Sequence, residues 1–281
     1  MCYNMQKSMQ KCKNGFRKEG LVPVYANYHT HTFRCHHANG TEREYIEQAI
    51  ERGLHTLGFS DHAPYCFPDG YTSGFRMAMS EFDGYCRTLS DLKQAYKDDI
   101  ELHIGLEMEY YPAYFAKTLE RMKGYPLEYL ILGQHFMENE QNAPYSGRAE
   151  NGAAELIRYV DQTAEAMETG CYTYFAHPDL IRADVPPETY RHCMTRLCET
   201  AKRCGIPLEL NLLGLGEHRA YPTEAFWSIV KTVGSDVVVG CDAHTPDAVA
   251  NPAVLQEADD FLKRFDLTPL KTVTLRNPFS N

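Results

Sequence analysis

Seven short apolar segments recur along the chain, and nearly all of them end in His, Asp, Glu or Asn. They span residues 24–32, 56–63, 100–110, 128–136, 172–179, 206–214 and 236–244. Short apolar runs that are bounded by polar residues are typical of strands buried in a parallel sheet. The pattern therefore predicts seven strands.

The stretches between these strands have the apolar spacing of helices. The first, residues 41–53, opens with Thr41 and Glu44 in the arrangement of a capping box and closes at Gly53, a typical helix end. The second follows Ser80, which we predict to be its N-cap. Five more are predicted at residues 113–124, 152–170, 187–205, 222–234 and 252–265. Alternating strands and helices indicate parallel βαβ units.

The polar residues at the strand ends distinguish between two α/β architectures. An open doubly wound sheet binds ligands at one or two switch points, whereas a barrel builds its site from the ends of many strands. Here the polar residues follow all seven strands, which favours a closed or nearly closed barrel. The 281 residues contain no linker-like tract, so we predict one barrel domain over residues 23–281 after a flexible lead-in, residues 1–22.

Composition narrows the classes of function. The chain is 43% hydrophobic and 23% charged, as in ordinary globular proteins, and its net charge of -10 disfavours long nucleic-acid partners. Its ten cysteines form no C-x-x-C pair and are interpreted as reduced thiols. No apolar run approaches the roughly 20 residues that span a bilayer, and no secretory signal opens the chain. We therefore expect no membrane partner and a cytoplasmic location.

The strand-end residues have the chemistry of a metal centre. They are His29, His31, His37, Asp61, His62, Glu107, His135, His177, Asp242 and His244. Imidazoles and carboxylates suit Zn, Mn or Fe, and their number exceeds the three or four ligands of one tetrahedral zinc. His29 and His31 are two residues apart on a strand, so they face the same side. The set predicts two or three divalent transition-metal ions.

Other histidines and cysteines near these positions receive plainer interpretations. We assign packing or surface roles to His55, His103 and His192. Adjacent loop side chains usually diverge, so one of His36 and His37 is expected to be a ligand and the other a bystander. Ligation by the thiols of Cys35 and Cys241 is the less favoured alternative.

In this order, the motifs resemble the PHP (polymerase and histidinol phosphatase) superfamily. They are "HTHT" followed by His37, then "GFSDHAP", "GLEMEYY", "GQHF", "AHPD" and "GCDAH". The resemblance covers roughly residues 25 to 250. Within the superfamily, "RCHHANG", "LELNLLGL" and "YPTEAFW" make the chain most similar to the monofunctional histidinol-phosphatases of the PHP type.

The resemblance implies a fold and a set of ligands. The fold would be a distorted (β/α)7 barrel with a trinuclear metal centre at the C-terminal ends of the strands. The spacing of the family's third histidine selects His37 over His36. The ligands would be His29, His31, Glu107 and Asp242 for the first metal, Glu107, His135 and His177 for the second, and His37, His62 and His244 for the third.

The resemblance also implies a reaction. L-Histidinol phosphate would be hydrolysed to L-histidinol and phosphate, a step of histidine biosynthesis, by attack of a metal-bound hydroxide. Asp61, Asp242 and His244 are the predicted catalytic residues. Asp61 would either orient a ligand or transfer a proton.

The substrate-binding residues are left as candidates. Arg76, Arg182 and Arg219 are candidates for binding phosphate, with His218 competing with Arg219. Glu109 is a candidate for the substrate amine, and the alternative is a carboxylate that is solvated or paired in the core.

Three alternative functions are weighed. A PHP phosphoesterase that acts on nucleotides or other small phosphate esters fits the same motifs. A non-catalytic metal-bound module fits less well because none of the nine ligand positions is missing. An amidohydrolase barrel also opens with H-x-H, but it usually needs a lysine ligand that no strand end here offers.

Overall fold

The computed structural model describes residues 25–71, 73–148 and 151–280. Seven parallel strands form one sheet in the order in which they occur along the chain. They are β1 (Ala26–Asn27), β2 (Thr56–His62), β3 (Glu101–Met108), β4 (Tyr129–Leu132), β5 (Tyr174–Phe175), β6 (Leu208–Asn211) and β7 (Val237–Gly240). The predicted lead-in, residues 1–22, lies outside the described residues.

Helices follow the strands on the outside of the sheet. They are α1 (Glu42–Glu51), α2 (Phe82–Ala95), α3 (Phe115–Met122), α4 (Ala153–Glu168), α5 (Pro187–Cys204), α6 (Leu212–Gly216), α7 (Glu224–Val233) and α8 (Pro252–Arg264). Among the described residues, no helix has both the length and the apolar character needed to cross a membrane.

The two predicted N-caps have different outcomes. The capping box before α1 is confirmed, because the Thr41 hydroxyl accepts from the Glu44 amide and the Glu44 carboxylate accepts from the Thr41 amide. The prediction for Ser80 is wrong. Ser80 lies inside a 3-10 turn, Met79–Glu81, and the Glu81 carboxylate accepts from the Ala78 amide instead.

The chain extension after β1 meets the extension after β7 and nearly closes the barrel. Thr30 pairs in parallel with Ala243, and the His31 amide donates to the Ala243 carbonyl at 3.0 Å. Of the strand predicted over residues 24–32, the described part, residues 25–32, is regular only at Ala26–Asn27. Beyond it the Asn27 side chain donates to the His29 carbonyl and accepts from the amides of His29 and Cys241. This side chain therefore replaces the regular ladder at the seam.

A packed layer of aromatic side chains fills the interior of the barrel. Tyr28, Tyr129 and Tyr174 pack there with small and aliphatic side chains of neighbouring strands. A Cβ at Gly58 would lie 2.2 Å from the hydroxyl oxygen of Tyr129, and a Cβ at Gly105 would lie 2.3 Å from a carbon of its ring. Glycine is therefore required on both strands so that Tyr129 can fill the barrel.

The C-terminal segment covers the end of the barrel at which the strands begin. Val273 and Leu275 pack against the interior layer, and the Arg276 guanidinium donates to the Cys204 and Gly205 carbonyls. A cavity opens at the other end, where the strands have their C-termini. The structure is thus the single-domain (β/α)7 barrel that the sequence predicts.

Candidate metal centre

Glu107 stands at the middle of a cluster of histidines. The parallel register of β2 and β3 puts His62 directly beside it. Its carboxylate is 1% exposed and lies 2.8–3.6 Å from a nitrogen atom of each of five rings, those of His29, His31, His62, His135 and His177. A single carboxylate among five imidazoles is well placed to bridge metal ions.

Asp242 is the second carboxylate of the cluster. Its Oδ1 lies 3.4 Å from Nε2 of His29 and 3.1 Å from Nε2 of His31. The two rings therefore share a face, as their i, i+2 spacing predicts. Asp242 has a left-handed φ of 49°, and its Oδ2 accepts from the Asn211 amide group. This uncommon backbone conformation turns the carboxylate toward the histidines.

His37 and His244 point their Nε2 atoms at each other, 3.0 Å apart. The Nδ1 atoms lie 2.7 Å from the Cys35 carbonyl oxygen and 3.0 Å from the Asp242 carbonyl oxygen, respectively. Each carbonyl can only accept, so each Nδ1 carries a proton and, when both rings are neutral, each Nε2 presents a lone pair. Two lone pairs that face each other repel unless a cation lies near both.

Several buried polar atoms of the cluster have no hydrogen-bond partner. They are Nε2 of His29, Nε2 of His31, Nδ1 of His62, Nδ1 of His177 and Oε2 of Glu107. Some of them lie close together, as Nδ1 of His62 and Oε2 of Glu107 do at 3.0 Å, yet without hydrogen-bond alignment. Unpaired buried groups are costly. Metal ions would satisfy them, so the residues present fit a metal centre.

The charge balance of the cluster also suits cations. Burial would lower the pKa of His29, but Asp242, Glu209 and Glu107 raise it to about 10. Burial and the nearby His31 lower the pKa of His62 to about 4. The carboxylates thus attract positive charge, while His62 is held neutral, the form of imidazole that binds metals.

A carboxylate holds the far side of three of the rings. The Nδ1 atoms of His29 and His135 lie 2.9 Å from Glu209 and Glu109, and Nδ1 of His31 lies 3.4 Å from Asp61. A carboxylate behind a metal-bound histidine sets its tautomer and orientation. In each of the three rings Nε2 therefore faces Glu107.

A cavity of about 360 Å³ opens beside the cluster. Metal-ligand candidates form one part of its wall, and the rest is largely aromatic. The lining residues are His37, His62, Phe75, Glu107, His135, Phe136, Tyr145, Leu213, Glu217, Arg219, Tyr221, Asp242 and His244. The cavity therefore combines a charged floor with flat apolar surfaces that can hold a ring.

Comparison with known proteins places this arrangement in a family. Residues 27–212 match the model of the family described as PHP domain. The chain belongs to the PHP domain family. The match starts at β1 and ends just after β6, so it contains most of the strand ends that form the cluster. The sequence resemblance to this family is confirmed.

Known relatives of this PHP domain carry related names. A Deinococcus radiodurans protein named "Probable histidinol-phosphatase" is 28% identical over 235 residues, which is 79% of this chain and 86% of the relative. The histidinol-phosphatase of Bacillus subtilis is 29% identical over 137 residues, 46% of this chain and 50% of the relative.

A solved structure shares the fold. The Lactococcus lactis histidinol phosphate phosphatase, complexed with zinc, L-histidinol and phosphate, superposes with a TM-score of 0.68 at 18% identity. The alignment covers 89% of this chain and 99% of that one. The likeness shows that the barrel architecture is the same.

Arg76 and Glu109, two of the candidate substrate-binding residues, form a buried ion pair with each other. The Arg76 guanidinium is buried and donates to both oxygens of Glu109, to Glu140 and to the Ala63 carbonyl. Burial would raise the pKa of Glu109, but Arg76 and His135 lower it to about 2. Neither residue lines the cavity. These contacts favour the alternative interpretation, in which Glu109 is a paired core carboxylate.

The other substrate candidates separate clearly. The side chains of Arg182 and His218 are exposed and do not line the cavity. Arg219 does line it, and it pairs with Glu217 at 2.8 Å. Of the two neighbours His218 and Arg219, the structure therefore brings only Arg219 to the cavity.

The histidines with plainer interpretations lie outside the cluster. His55 stacks on Tyr25 at 4.3 Å, and His103 contacts the carboxylates of Glu101 and Glu128. His36 is exposed with a left-handed φ of 67°, so the backbone turns it away from its neighbour's direction. His192 is exposed on α5.

The two cysteines near the ligands differ in their contacts. The Cys241 sulfur accepts from the Ala250 amide, whereas the Cys35 sulfur lies within 4.8 Å of ligand nitrogens of His37 and His244.

Sequence reasoning missed Glu209. It lies on β6, is fully buried, and accepts from the His177 amide and from Asn211 as well as from His29. A Cβ on Gly240 would stand 1.7 Å from its Oε1, so the glycine makes room for it. The available signal was a glutamate inside the apolar run "LELNLL". A charge there needs a buried partner.

Proposed function

We propose that this PHP domain is a metal-dependent phosphomonoesterase that hydrolyses L-histidinol phosphate to L-histidinol and phosphate in histidine biosynthesis. The observation that carries the proposal is the position of Glu107, in contact with five histidines at the floor of an aromatic-walled cavity. The names of the Deinococcus and Bacillus relatives support the choice of substrate. So does the L-histidinol in the Lactococcus structure.

The proposed cofactor is two or three divalent transition-metal ions, with Zn, Mn and Fe as the candidates. His29, His31, Glu107 and Asp242 would hold the first, Glu107, His135 and His177 the second, and His37, His62 and His244 the third. When bound, such ions neutralise phosphate charge and lower the pKa of a water molecule toward neutrality. The unpaired buried atoms of His29, His31, His62, His177 and Glu107 support this assignment.

The chain's own groups would bind and orient the substrate around that centre. Arg219 would contact a phosphate oxygen, because its guanidinium lies in the cavity wall and carries several donors. Tyr145 and Tyr221 offer flat surfaces for the imidazole of the substrate. Asp61 would keep His31 oriented, since it lies behind that ring and also accepts from Thr32. Asp242 and His244 would be catalytic residues within the metal centre.

The partner is therefore a small phosphorylated molecule rather than a nucleic acid or a membrane. The net charge of -10 supports the part of this proposal that concerns long nucleic acids. A cytoplasmic location is part of the proposal as well, and the free thiols of the eight described cysteines are consistent with it.

The test is phosphate release by the metal-replete protein from L-histidinol phosphate beside a panel of nucleotides and sugar phosphates. The proposal predicts the highest kcat/KM for L-histidinol phosphate. Equal or higher values for nucleotides would keep the metal chemistry and reassign the substrate to the other small phosphate esters.

A further inference from the structure

We infer that Glu217 is a specificity-determining residue that binds the ammonium group of the substrate and so selects 2-aminoalkyl phosphates. The inference rests on the proposed function, because it assumes that the phosphate of the substrate is held at the metal centre. Glu109, the carboxylate that the sequence made a candidate for this role, is held by Arg76 and His135.

The cavity wall contains three carboxylates among its described residues, and they differ in their partners. Glu107 and Asp242 are buried and contact the clustered histidines. Glu217 is 55% exposed and contacts Arg219 instead. Its carboxylate is therefore accessible to a ligand that enters the cavity, whereas the carboxylates of Glu107 and Asp242 are occupied by the clustered histidines.

The backbone holds Glu217 in a defined place. It ends the short helix α6, and its amide donates to the Leu213 carbonyl at 3.0 Å. The Asn211 side chain anchors the start of the same helix through the Gly214 amide. A Cβ on Gly214 would meet the Tyr221 ring within 2.5 Å, so helix and cavity wall are in close contact. The position of Glu217 is thus fixed by a helix that packs against the cavity wall.

The charges of Glu217 and Arg219 match those of the proposed substrate. L-Histidinol phosphate carries an ammonium group on the carbon next to the phosphate-bearing carbon, so opposite charges lie a few bonds apart. Arg219 donates to Oε2 of Glu217 through two nitrogen atoms, at 2.8 and 2.9 Å. A carboxylate has about four acceptor positions. Oε1 therefore retains capacity for an ammonium donor.

The existing ion pair does not oppose this exchange. Both side chains are about half-exposed, 55% for Glu217 and 41% for Arg219. Exposed pairs of this kind contribute little to stability because water screens them. The guanidinium can therefore turn to a phosphate oxygen while the carboxylate takes the ammonium group.

The experiment compares two substrates that differ only in the amine. They are L-histidinol phosphate and 3-(imidazol-4-yl)propyl phosphate, and each is assayed with wild type, Glu217→Gln, Glu217→Asp and the control Glu257→Gln, which changes an exposed glutamate of α8. Glu217→Gln is expected to lower kcat/KM for L-histidinol phosphate by at least about tenfold, as for loss of a charge-assisted hydrogen bond. The same variant should leave kcat/KM for the des-amino substrate nearly unchanged. Glu217→Asp should recover part of the loss, and Glu257→Gln should match wild type.

Each other outcome has a distinct meaning. If Glu217→Gln changes both substrates by the same factor, or neither, the inference is wrong. A changed inhibition constant for inorganic phosphate in that variant would show that Glu217 acts through Arg219 and would also overturn it. A wild-type protein that does not turn over L-histidinol phosphate contradicts the proposed function itself, so the two failures are distinguishable.

Discussion

Oε1 of Glu209 lies 2.9 Å from Nδ1 of His29, and both side chains are fully buried. The carboxylate accepts from Nδ1, so Nε2 is the nitrogen that faces Glu107 and Asp242. This pair links β6 to the seam between β1 and β7. A residue that does not itself touch the cavity thereby orients one of the central ligand candidates.

The first prediction follows from that pair. Glu209→Gln keeps the size of the side chain but removes the charge behind His29, so we expect metal affinity to fall about 10–100-fold. Competition with a chromophoric chelator measures the affinity, and circular dichroism checks the fold. Glu257→Gln serves as the matched control. An unchanged metal affinity in Glu209→Gln would show that the pair is only a packing contact.

The ligand candidates themselves give a stronger effect. His29→Ala should abolish phosphatase activity while the far-ultraviolet circular dichroism spectrum stays that of a folded barrel, because His29 lies beyond the regular part of β1. The same is expected for Asp242→Ala. A folded His29→Ala protein with full turnover would rule out the metal centre described above.

The neighbours His36 and His37 provide a pair of matched variants. Nε2 of His37 lies 3.0 Å from Nε2 of His244, whereas His36 has a left-handed φ of 67° and belongs to none of the described contacts of the cluster. We expect His37→Ala to lose one equivalent of bound metal and His36→Ala to lose none. Elemental analysis after gel filtration measures both. If His36→Ala loses metal instead, the wrong neighbour has been assigned.

Substitutions of Arg76 and Arg182 distinguish an arginine that stabilises the fold from one that does not. Arg76→Met leaves Glu109 and Glu140 buried without their cationic partner, and breaking a buried pair in this way costs about 3–5 kcal/mol. Arg182→Met removes an exposed side chain, so the free energy of unfolding should change by less than about 0.5 kcal/mol. Urea denaturation measures both. Equal stabilities would contradict the structural role assigned to Arg76.

The barrel could be predicted from the sequence because polar residues follow all seven strands. Such a pattern is expected when the ends of all the strands meet at one site. The i, i+2 spacing and the neighbouring first and last strands also predict that His29, His31 and Asp242 meet, and the structure brings these three side chains together. The structure brings all nine predicted metal-ligand positions to one cluster at the cavity. The strand pattern could not show that the Asn27 side chain would replace the ladder after β1.

The misses share a physical cause. Arg76 pairs with Glu140, which is 64 residues away along the chain, across two loops whose course follows no periodic pattern. Glu209 looked like one polar residue in an apolar strand, and only the closed barrel shows that it reaches His29. The choice between His218 and Arg219 depended on the end of a five-residue helix, α6, which the sequence did not delimit. Long-range pairing and loop geometry, rather than strand placement, limited the prediction.

The central claim is that metal ions held around Glu107 make this chain a phosphatase. The most direct measurement is a titration of metal-depleted protein with Zn²⁺ or Mn²⁺ while phosphate release from L-histidinol phosphate is followed. We predict no turnover without metal and an activity that rises until two or three equivalents are bound. Full activity in the metal-depleted protein, or none in a protein loaded with two or three equivalents, would contradict the account.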